Sequence, residues 1–187
     1  MYNVSRAPIR EAVQKLKIMG LIDVIQGKGT FVKELDANSF MMAMIPLLGL
    51  DNKNIIHMLE YRNLVEPACV IKAIELASDE EIEKIGAFAV KYEDMENPKE
   101  EFRYYDMNFH QSIIAASQNT IIIALNNIIK ELTEKYLEDS VKTLDIKRAI
   151  DYHARIFEAI KMRDGDKAAS LMQLHIEDVK EKYINRG

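Results

Sequence analysis

Three histidines and one aspartate interrupt the apolar faces of predicted helices in the second half of the sequence. Asp106 and His110 stand four residues apart, which places them one turn apart on one face of a helix predicted over residues 98–116. His153 and His175 fall within the apolar stripes of two later helices. Burying such groups costs several kcal/mol unless they are paired. Two interpretations follow: separate hydrogen-bonded core side chains or, more economically, convergence on one metal ion.

The chemistry of these side chains suits a divalent cation. Imidazole and carboxylate are ligands of Zn²⁺, the first choice, and also of Ni²⁺, Mn²⁺ and Fe²⁺, because ligand type alone does not separate these ions. A six-coordinate ion would keep two positions for the carboxylate and hydroxyl of an organic acid. Arg62 is the candidate to clamp that carboxylate, with an ion pair to Glu66 as the alternative. Asn119 is a candidate polar contact, with helix capping as the alternative.

The composition is that of a mainly helical globular protein. The 187 residues are 48% hydrophobic and include only 7 glycines and 4 prolines. There is no apolar run of membrane-spanning length and no signal-peptide pattern, and the single cysteine excludes an internal disulfide framework, so we expect a cytoplasmic protein. Residues 1–34 carry six basic and three acidic side chains, whereas the remainder carries 19 basic and 27 acidic ones. A small basic head on an acidic body predicts two functions.

The basic head predicts a helix followed by a β-hairpin. Ser5 is a natural N-cap for the helix, and Gly20 ends it. Two short β-prone runs, 21–25 and 30–32, follow and are joined by a glycine-rich turn at 26–29. The helix has an apolar stripe that we expect to be buried, formed by Ile9, Ala12, Val13, Leu16 and Met19.

Basic side chains occupy the other face of this helix and the tip of the hairpin. Arg6 and Arg10 are four residues apart, and arginine can bind guanine through two hydrogen bonds. Lys28, at a flexible tip, can reach a phosphate or the minor groove. This arrangement fits a recognition helix and wing that read DNA. The alternative is a solvated charged helix beside a hairpin without function.

The run VSRAPIREAVQKLKIMGLIDVIQGKGTFV at residues 4–32 resembles the second half of the winged helix-turn-helix of the GntR family of bacterial transcription regulators. The Ser-Arg-x-Pro-x-Arg-Glu-Ala run, the Gly-Leu turn and the Gly-x-Gly-Thr-x-Val wing carry the resemblance. It implies contacts to operator DNA from Ser5, Arg6, Ala7, Arg10, Gly27, Lys28 and Gly29. Members of the family have a first helix and most of a second before this point. We therefore expect operator binding to need N-terminal helices that this sequence lacks. Without those helices, we expect the apolar stripe at Ile9, Val13 and Leu16 to be exposed.

The remaining residues predict helices separated by capping and breaking sequences. The predicted helices span residues 36–48, 54–77, 78–95, 98–116, 121–141, 145–163 and 166–184. The fold class is therefore mainly α, an antiparallel bundle of six to seven helices preceded by a partial winged helix-turn-helix. We assign residues 1–34 to the DNA-binding domain, 35–52 to a linker helix, and 53–187 to a helical domain that binds the effector and the metal.

Four segments of this helical domain resemble the FCD domain, the effector-binding half of the FadR branch of the GntR family. They are EYRNLVEP at 60–67, DMNFHQSIIAASQN at 106–119, HARIFEAIKMRDGDKAA at 153–169 and LMQLHIEDV at 171–179. The resemblance implies a divalent ion held by Asp106, His110, His153 and His175. Because all four are present, it favours the metal-dependent branch that binds small carboxylic acids over a relative that binds fatty acyl-CoA.

The sequence thus predicts a ligand-responsive transcription regulator, a repressor that binds an operator as a homodimer, with no membrane partner. A small organic acid bound at the metal would modulate DNA binding. Two alternatives remain: a metal-dependent, hydrolase-like enzyme, and a regulator with a purely structural metal. The enzyme is disfavoured because no acid is placed as an obvious general base and no Glu-x-x-His pair is present.

Overall fold

The computed structural model of the chain describes residues 5–18, 20–33, 52–90, 92–140 and 145–185. Backbone contacts divide the chain into two compact units, Met1–Gly49 and Leu50–Gly187. The linker helix predicted at 36–48 lies outside the described residues. No helix among those residues is long and apolar enough to cross a membrane.

The described residues of the first unit form one helix and a two-stranded antiparallel sheet. Helix α1 spans Arg6–Ile18, and strands β1 and β2 span Ile22–Ile25 and Gly29–Val32. The helix ends where Gly20 adopts a φ of +72°, which a residue with a Cβ rarely takes. The predicted helix and hairpin are confirmed. The predicted connecting turn is one residue shorter, because Gly29 pairs with Ile25 as the first residue of β2.

The apolar stripe of α1 is not buried by the described part of this unit. None of the helix's described residues is buried, and Ile9 is 52% exposed. A groove of about 600 Å³ runs along this face and is lined by Ile9, Arg10, Val13, Gln14, Lys17, Ile18 and Val24. The exposure expected for this stripe is thus found at Ile9 and at Leu16, which is 38% exposed, whereas Val13 is partly buried.

The second unit is a helical bundle, as predicted. Its described residues form six α-helices and a short 3₁₀ turn at Tyr92–Asp94. The helices are α2 (Asn52–Leu76), α3 (Asp79–Gly86), α4 (Pro98–Ala116), α5 (Thr120–Ser140), α6 (Ile146–Lys161) and α7 (Gly165–Ile184). Helix α2 packs along α7, α6 packs on α7, and α4 packs against α2.

Local capping chemistry sets where several of these helices begin. Ser78 and Glu81 form a capping box: each side chain accepts a hydrogen bond from the other residue's backbone N–H. Asp145 and Asp164 cap α6 and α7 by accepting a bond from the backbone N–H three residues later. Arg163, with a φ of +58°, then ties the turn before α7 to the end of α2. Its guanidinium donates to the carbonyls of Ile74 and Ala77 and to the carboxylate of Asp79.

The predicted extent of the helix after Ser78 is wrong. This helix was expected to continue to residue 95, but α3 ends at Gly86. The ring of Phe157 lies against the Gly86 backbone, so close that a Cβ placed there would stand 2.3 Å from it. The close approach of α6 therefore occupies the space that a side chain at this position would need.

The core of the bundle consists of two apolar clusters, one around Phe109 and Ile156 and the other around Leu59 and Phe102. The imidazole of His153 lies between them: its ring stacks on Phe109 at 4.4 Å and on Phe102 at 6.4 Å between centroids. Polar side chains that meet at His153 are therefore enclosed by both clusters.

The contact between Gly86 and Phe157 gives a test of this packing. Gly86→Ala is expected to lower the free energy of unfolding by about 1–3 kcal/mol, because the new methyl group overlaps a buried ring. Denaturant unfolding at 25 °C measures the change. Gly165→Ala is the matched control, since the nearest atom to its new Cβ lies 3.9 Å away and alanine is the better helix residue. Equal stabilities for the two variants would contradict the packing described.

Candidate metal centre

Four polar side chains meet inside the bundle. Asp106 and His110 come from α4, His153 from α6 and His175 from α7. Each is at most 5% exposed. Each offers a ligand atom, and these atoms all lie within 4.8 Å of one another. The structure thus brings together all four residues predicted as metal ligands.

The spacing within this Asp/His cluster, defined as Asp106, His110, His153 and His175, matches what a cation requires. The Nε2 atoms of His153 and His175 are 3.2 Å apart. Asp106 Oδ1 lies 3.5 Å from His153 Nε2 and 3.8 Å from His110 Nε2. Two ligands bonded to one ion at about 2.1 Å stand roughly 3.0–3.4 Å apart. A divalent ion therefore fits with small side-chain movements.

Polar atoms without hydrogen-bond partners at the cluster also support a bound cation. Asp106 Oδ2 and His110 Nε2 are buried and have no hydrogen-bond partner among the described residues; His175 Nδ1 lacks one too, but the His175 nitrogen that faces His153 is Nε2. Buried polar atoms are normally paired, so an unpaired set gathered in one place marks a site that binds something. Lone-pair atoms concentrated around one point favour a cation.

Burial keeps two of the histidines in the form that binds metals. It lowers the pKa of both His153 and His175 well below the usual range, and the neighbouring His110 and Arg62 lower these pKa values further. Burial raises the pKa of Asp106, while His110 and Arg62 act in the opposite direction. Neutral imidazoles retain a lone pair, so the two buried histidines are ready to coordinate.

A buried ion pair lies directly behind His110. Glu66 on α2 accepts hydrogen bonds from Arg62 Nε and from His110 Nδ1, both at 2.6 Å. Burial alone would raise the pKa of Glu66, but the guanidinium of Arg62 and the hydrogen bonds from Arg62 and His110 lower it well below its usual range. Glu66 is therefore an ionised carboxylate enclosed by the bundle.

A small cavity of about 10 Å³ adjoins the cluster. It is lined by Arg62, Glu66, Asp106, Met107, His110, Gln111, Asn126, Lys130 and Thr133. An outer groove of about 740 Å³ shares three of these residues, Met107, Gln111 and Lys130. The cavity and the groove are therefore neighbours along α4 and α5.

The structure separates the two residues predicted to bind the effector. Arg62 lines the cavity beside the cluster. Asn119 is exposed and caps α5, where its side-chain oxygen accepts from the N–H groups of Ile121 and Ile122 at 3.1 and 3.2 Å. The cavity's described lining does not include Asn119. Its position supports the capping role and gives no support for a contact to the effector.

Sequence reasoning missed three residues near the cluster. Glu66 was recognised only as a partner for Arg62, although an acid in the apolar stripe of α2 signals a buried role. Gln111 and Lys130 line the cavity from α4 and α5. No pattern in the sequence marks these two, since each is an ordinary polar residue on a helix that is partly exposed.

The residues predicted to contact DNA lie on the surface of the first unit. Ser5, Arg6, Ala7 and Arg10 at the start of α1 are exposed, as are Gly27, Lys28 and Gly29 at the hairpin. Gly27 and Gly29 have φ angles of +78° and +122°. The tip thus uses backbone conformations that suit glycine and keeps Lys28 exposed.

A helix and hairpin with exposed arginines, joined to a helical bundle with a buried Asp/His cluster, define a DNA-binding transcription regulator. Family comparison agrees for both parts: residues 1–32 match the bacterial regulatory proteins of the gntR family, and residues 57–178 match the FCD domain. The chain belongs to the GntR family and carries an FCD domain. Members of this family are transcription regulators and not enzymes; they bind operator DNA and small-molecule effectors, typically as dimers.

Individual relatives are similar along most of the chain. The transcriptional regulator LutR of Bacillus subtilis is 28% identical over 195 residues, covering 100% of this chain and 89% of the relative. The galactonate operon transcriptional repressor of Escherichia coli is 25% identical, covering 89% and 76%. Among solved structures, a GntR protein of Streptococcus agalactiae shares the fold, with a TM-score of 0.65 and 21% identity over 96% of this chain and 83% of that one.

The buried histidines make stability depend on pH. Below about pH 6.5 the unfolded chain protonates these imidazoles, whereas the folded protein keeps His153 and His175 neutral. The free energy of unfolding of the metal-free protein is therefore expected to fall as pH falls from 7 towards 5. Asp106 has a raised pKa and acts in the opposite direction, but it is one group against two.

Denaturant unfolding in EDTA at several pH values measures this slope, and His175→Gln should make it shallower than in the wild type. Identical slopes for the two proteins would contradict a neutral, buried His175.

Proposed function

We propose that this chain is a transcriptional repressor whose FCD domain binds a divalent metal through Asp106, His110, His153 and His175. A small hydroxy- or dicarboxylic acid binds at that metal and changes the affinity of the head for its operator. The observation that carries the proposal is the convergence of four buried ligand atoms, from three helices, within 4.8 Å of one another.

The cluster favours a metal over a set of hydrogen-bonded core histidines. A neutral imidazole has one donor and one acceptor nitrogen, so each of the three histidines would need a matching pair of partners. His110 Nε2 and His175 Nδ1 have none among the described residues. One cation would accept several lone pairs at once. Zn²⁺ is the ion we propose first, and Ni²⁺, Mn²⁺ and Fe²⁺ suit the same ligands.

The chemistry beside the cluster supports an acidic effector. When bound, the metal would supply electrophilic positions for the oxygens of a carboxylate and a hydroxyl. Arg62 and Asn126 line the adjoining cavity, so a carboxylate held there lies next to a guanidinium. Two relatives are named as repressors of a galactonate operon and a gluconate operon. Their names point to sugar acids, which have the carboxylate and hydroxyl groups that this site suits.

The small size of the cavity links effector binding to a movement of the bundle. About 10 Å³ holds roughly one water molecule, far less than a sugar acid needs. Asn126, Lys130 and Thr133 of α5 form one wall. An acid that binds only when this wall has moved shifts the population towards the open bundle. In a homodimer, that shift would change the spacing of two heads set for half-sites about 34 Å apart.

Removing a ligand side chain tests the metal and the effector together. His110→Ala and His153→Ala are each expected to lose bound metal and the response to acids. Elemental analysis of the purified protein measures the metal, and calorimetric titration with gluconate, galactonate and small dicarboxylic acids measures the response. His57→Ala, an exposed histidine on α2, is the matched control and should keep both. Stoichiometric metal in either cluster variant would refute the ligand assignment.

The same titrations distinguish a sensor from a regulator with a structural metal. Acid binding that a chelator abolishes supports the sensor. Acid binding unaffected by a chelator, or full metal occupancy with no heat from any of these acids, favours the structural metal.

The head is tested separately from the effector site. In a protein whose head also carries the family's preceding helices, Arg6→Ala and Arg10→Ala are each expected to weaken operator binding about 5- to 150-fold, as loss of a good base contact would, without changing acid affinity. Gel-shift titration on the operator gives the ratio. Lys15→Ala removes the same charge from another exposed position of α1 and should cost much less. If the three variants bind equally well, Arg6 and Arg10 do not contact bases.

A further inference from the structure

Glu66 is a buried carboxylate that lies outside the Asp/His cluster but contacts one member of it. Its side chain is only 3% exposed. One oxygen accepts from Arg62 Nε and the other from His110 Nδ1, each at 2.6 Å. Glu66 therefore links a guanidinium on its own helix to an imidazole 44 residues further along the chain.

The contact determines which nitrogen of His110 carries the proton. An ionised carboxylate only accepts hydrogen bonds, so the nitrogen that faces it must be a donor. A neutral imidazole has a single N–H, and placing it on Nδ1 leaves Nε2 with its lone pair. That Nε2 atom lies 3.8 Å from Asp106 Oδ1 and has no hydrogen-bond partner among the described residues. A cation is the partner that both acceptor atoms suit.

We propose that Glu66 is a positioning residue for the metal centre. It holds the His110 ring with Nε2 directed into the cluster, and Arg62 holds Glu66 in place. This inference rests on the proposed function, because it assigns Glu66 a role towards the metal. Carboxylates behind metal-binding histidines fix the tautomer and ring orientation, and losing one costs 10- to 100-fold in metal affinity.

The geometry distinguishes this role from that of an ordinary ion pair. Arg62 and Glu66 are four residues apart on α2, and a pair at this spacing needs only one carboxylate oxygen. The second oxygen bonds across the interface between α2 and α4 to His110. None of the four cluster residues lies on α2. Glu66 is thus a direct polar link from α2 to the cluster.

The substitution Glu66→Gln keeps the shape of the side chain but removes its negative charge and one of its acceptor oxygens. Glutamine replaces one of the two carboxylate oxygens with an NH₂ donor, so only one of the two positions that face Arg62 and His110 can still accept. The charged guanidinium would keep the oxygen, since charge-assisted hydrogen bonds are the stronger ones. The NH₂ group would then face His110 Nδ1 and move the imidazole proton to Nε2. In Glu66→Gln, the nitrogen needed for the metal is therefore protonated.

The experiment combines two measurements on Glu66→Gln. Competition with a chromophoric zinc chelator should show Zn²⁺ binding 10- to 100-fold weaker than in the wild type. Nitrogen-15 NMR of the metal-free proteins should show His110 changing from the Nδ1–H to the Nε2–H tautomer. Glu60→Gln, which alters an exposed glutamate of α2 paired with Lys180 at 3.5 Å, is the matched control and should behave as wild type.

The outcomes separate this inference from the proposed function. Zinc affinity within twofold of wild type, or an unchanged His110 tautomer in folded Glu66→Gln, overturns the positioning role. Wild-type protein that binds no zinc refutes the metal centre itself, and the tautomer measurement on metal-free protein still tests the action of Glu66 on the ring. Glu66→Ala should weaken zinc binding at least as much; if Glu66→Ala does not fold, the isosteric Glu66→Gln variant decides.

Discussion

The structure depends on how four polar side chains are tolerated inside an apolar core. The two apolar clusters of the bundle enclose the imidazole of His153, and the other members of the Asp/His cluster lie against that ring. Isolated polar groups in such surroundings are strongly destabilising. Protein hydrogen bonds relieve only part of this cost, since several of the atoms lack a partner among the described residues. A bound cation would turn this unfavourable arrangement into a link between α4, α6 and α7, because metal binding contributes directly to folding.

The fold could be predicted from the sequence where it depends on contacts between residues close together in the chain. The capping residues Ser78, Asp145 and Asp164 act on backbone groups within three positions, so the starts of three helices were readable from the sequence. The end of α3 at Gly86 was not readable in this way, and neither was the close approach of the Phe157 ring of α6 to the Gly86 backbone, which depends on how the helices pack. For α1, the periodic pattern predicted which side chains share the apolar face, but such a pattern does not specify what covers that face.

The candidate site likewise has features that the sequence predicts and features that depend on how the helices pack. Each histidine of the cluster breaks a helical stripe, so its burial was predictable, and the four-residue spacing of Asp106 and His110 placed two groups on one face. The contact between Glu66 and His110 depends on how α2 and α4 pack, and nothing in the one-dimensional pattern specifies which imidazole nitrogen faces which helix. The sequence offered two roles for Arg62, an effector clamp and an ion pair with Glu66. In the structure Arg62 forms the ion pair and also lines the cavity beside the cluster.

The way Arg163 binds the end of α2 has a mechanical consequence. Its guanidinium fastens the last turn of that helix to the turn before α7, while Asn52 begins the other end of the helix. At 1.5 Å per residue, Glu66 stands about 15 Å from Leu76 and Asn52 about 36 Å from it. If α2 turned about this fastened end, the displacement at Asn52 would be more than twice the displacement at Glu66, because Asn52 lies more than twice as far from Leu76.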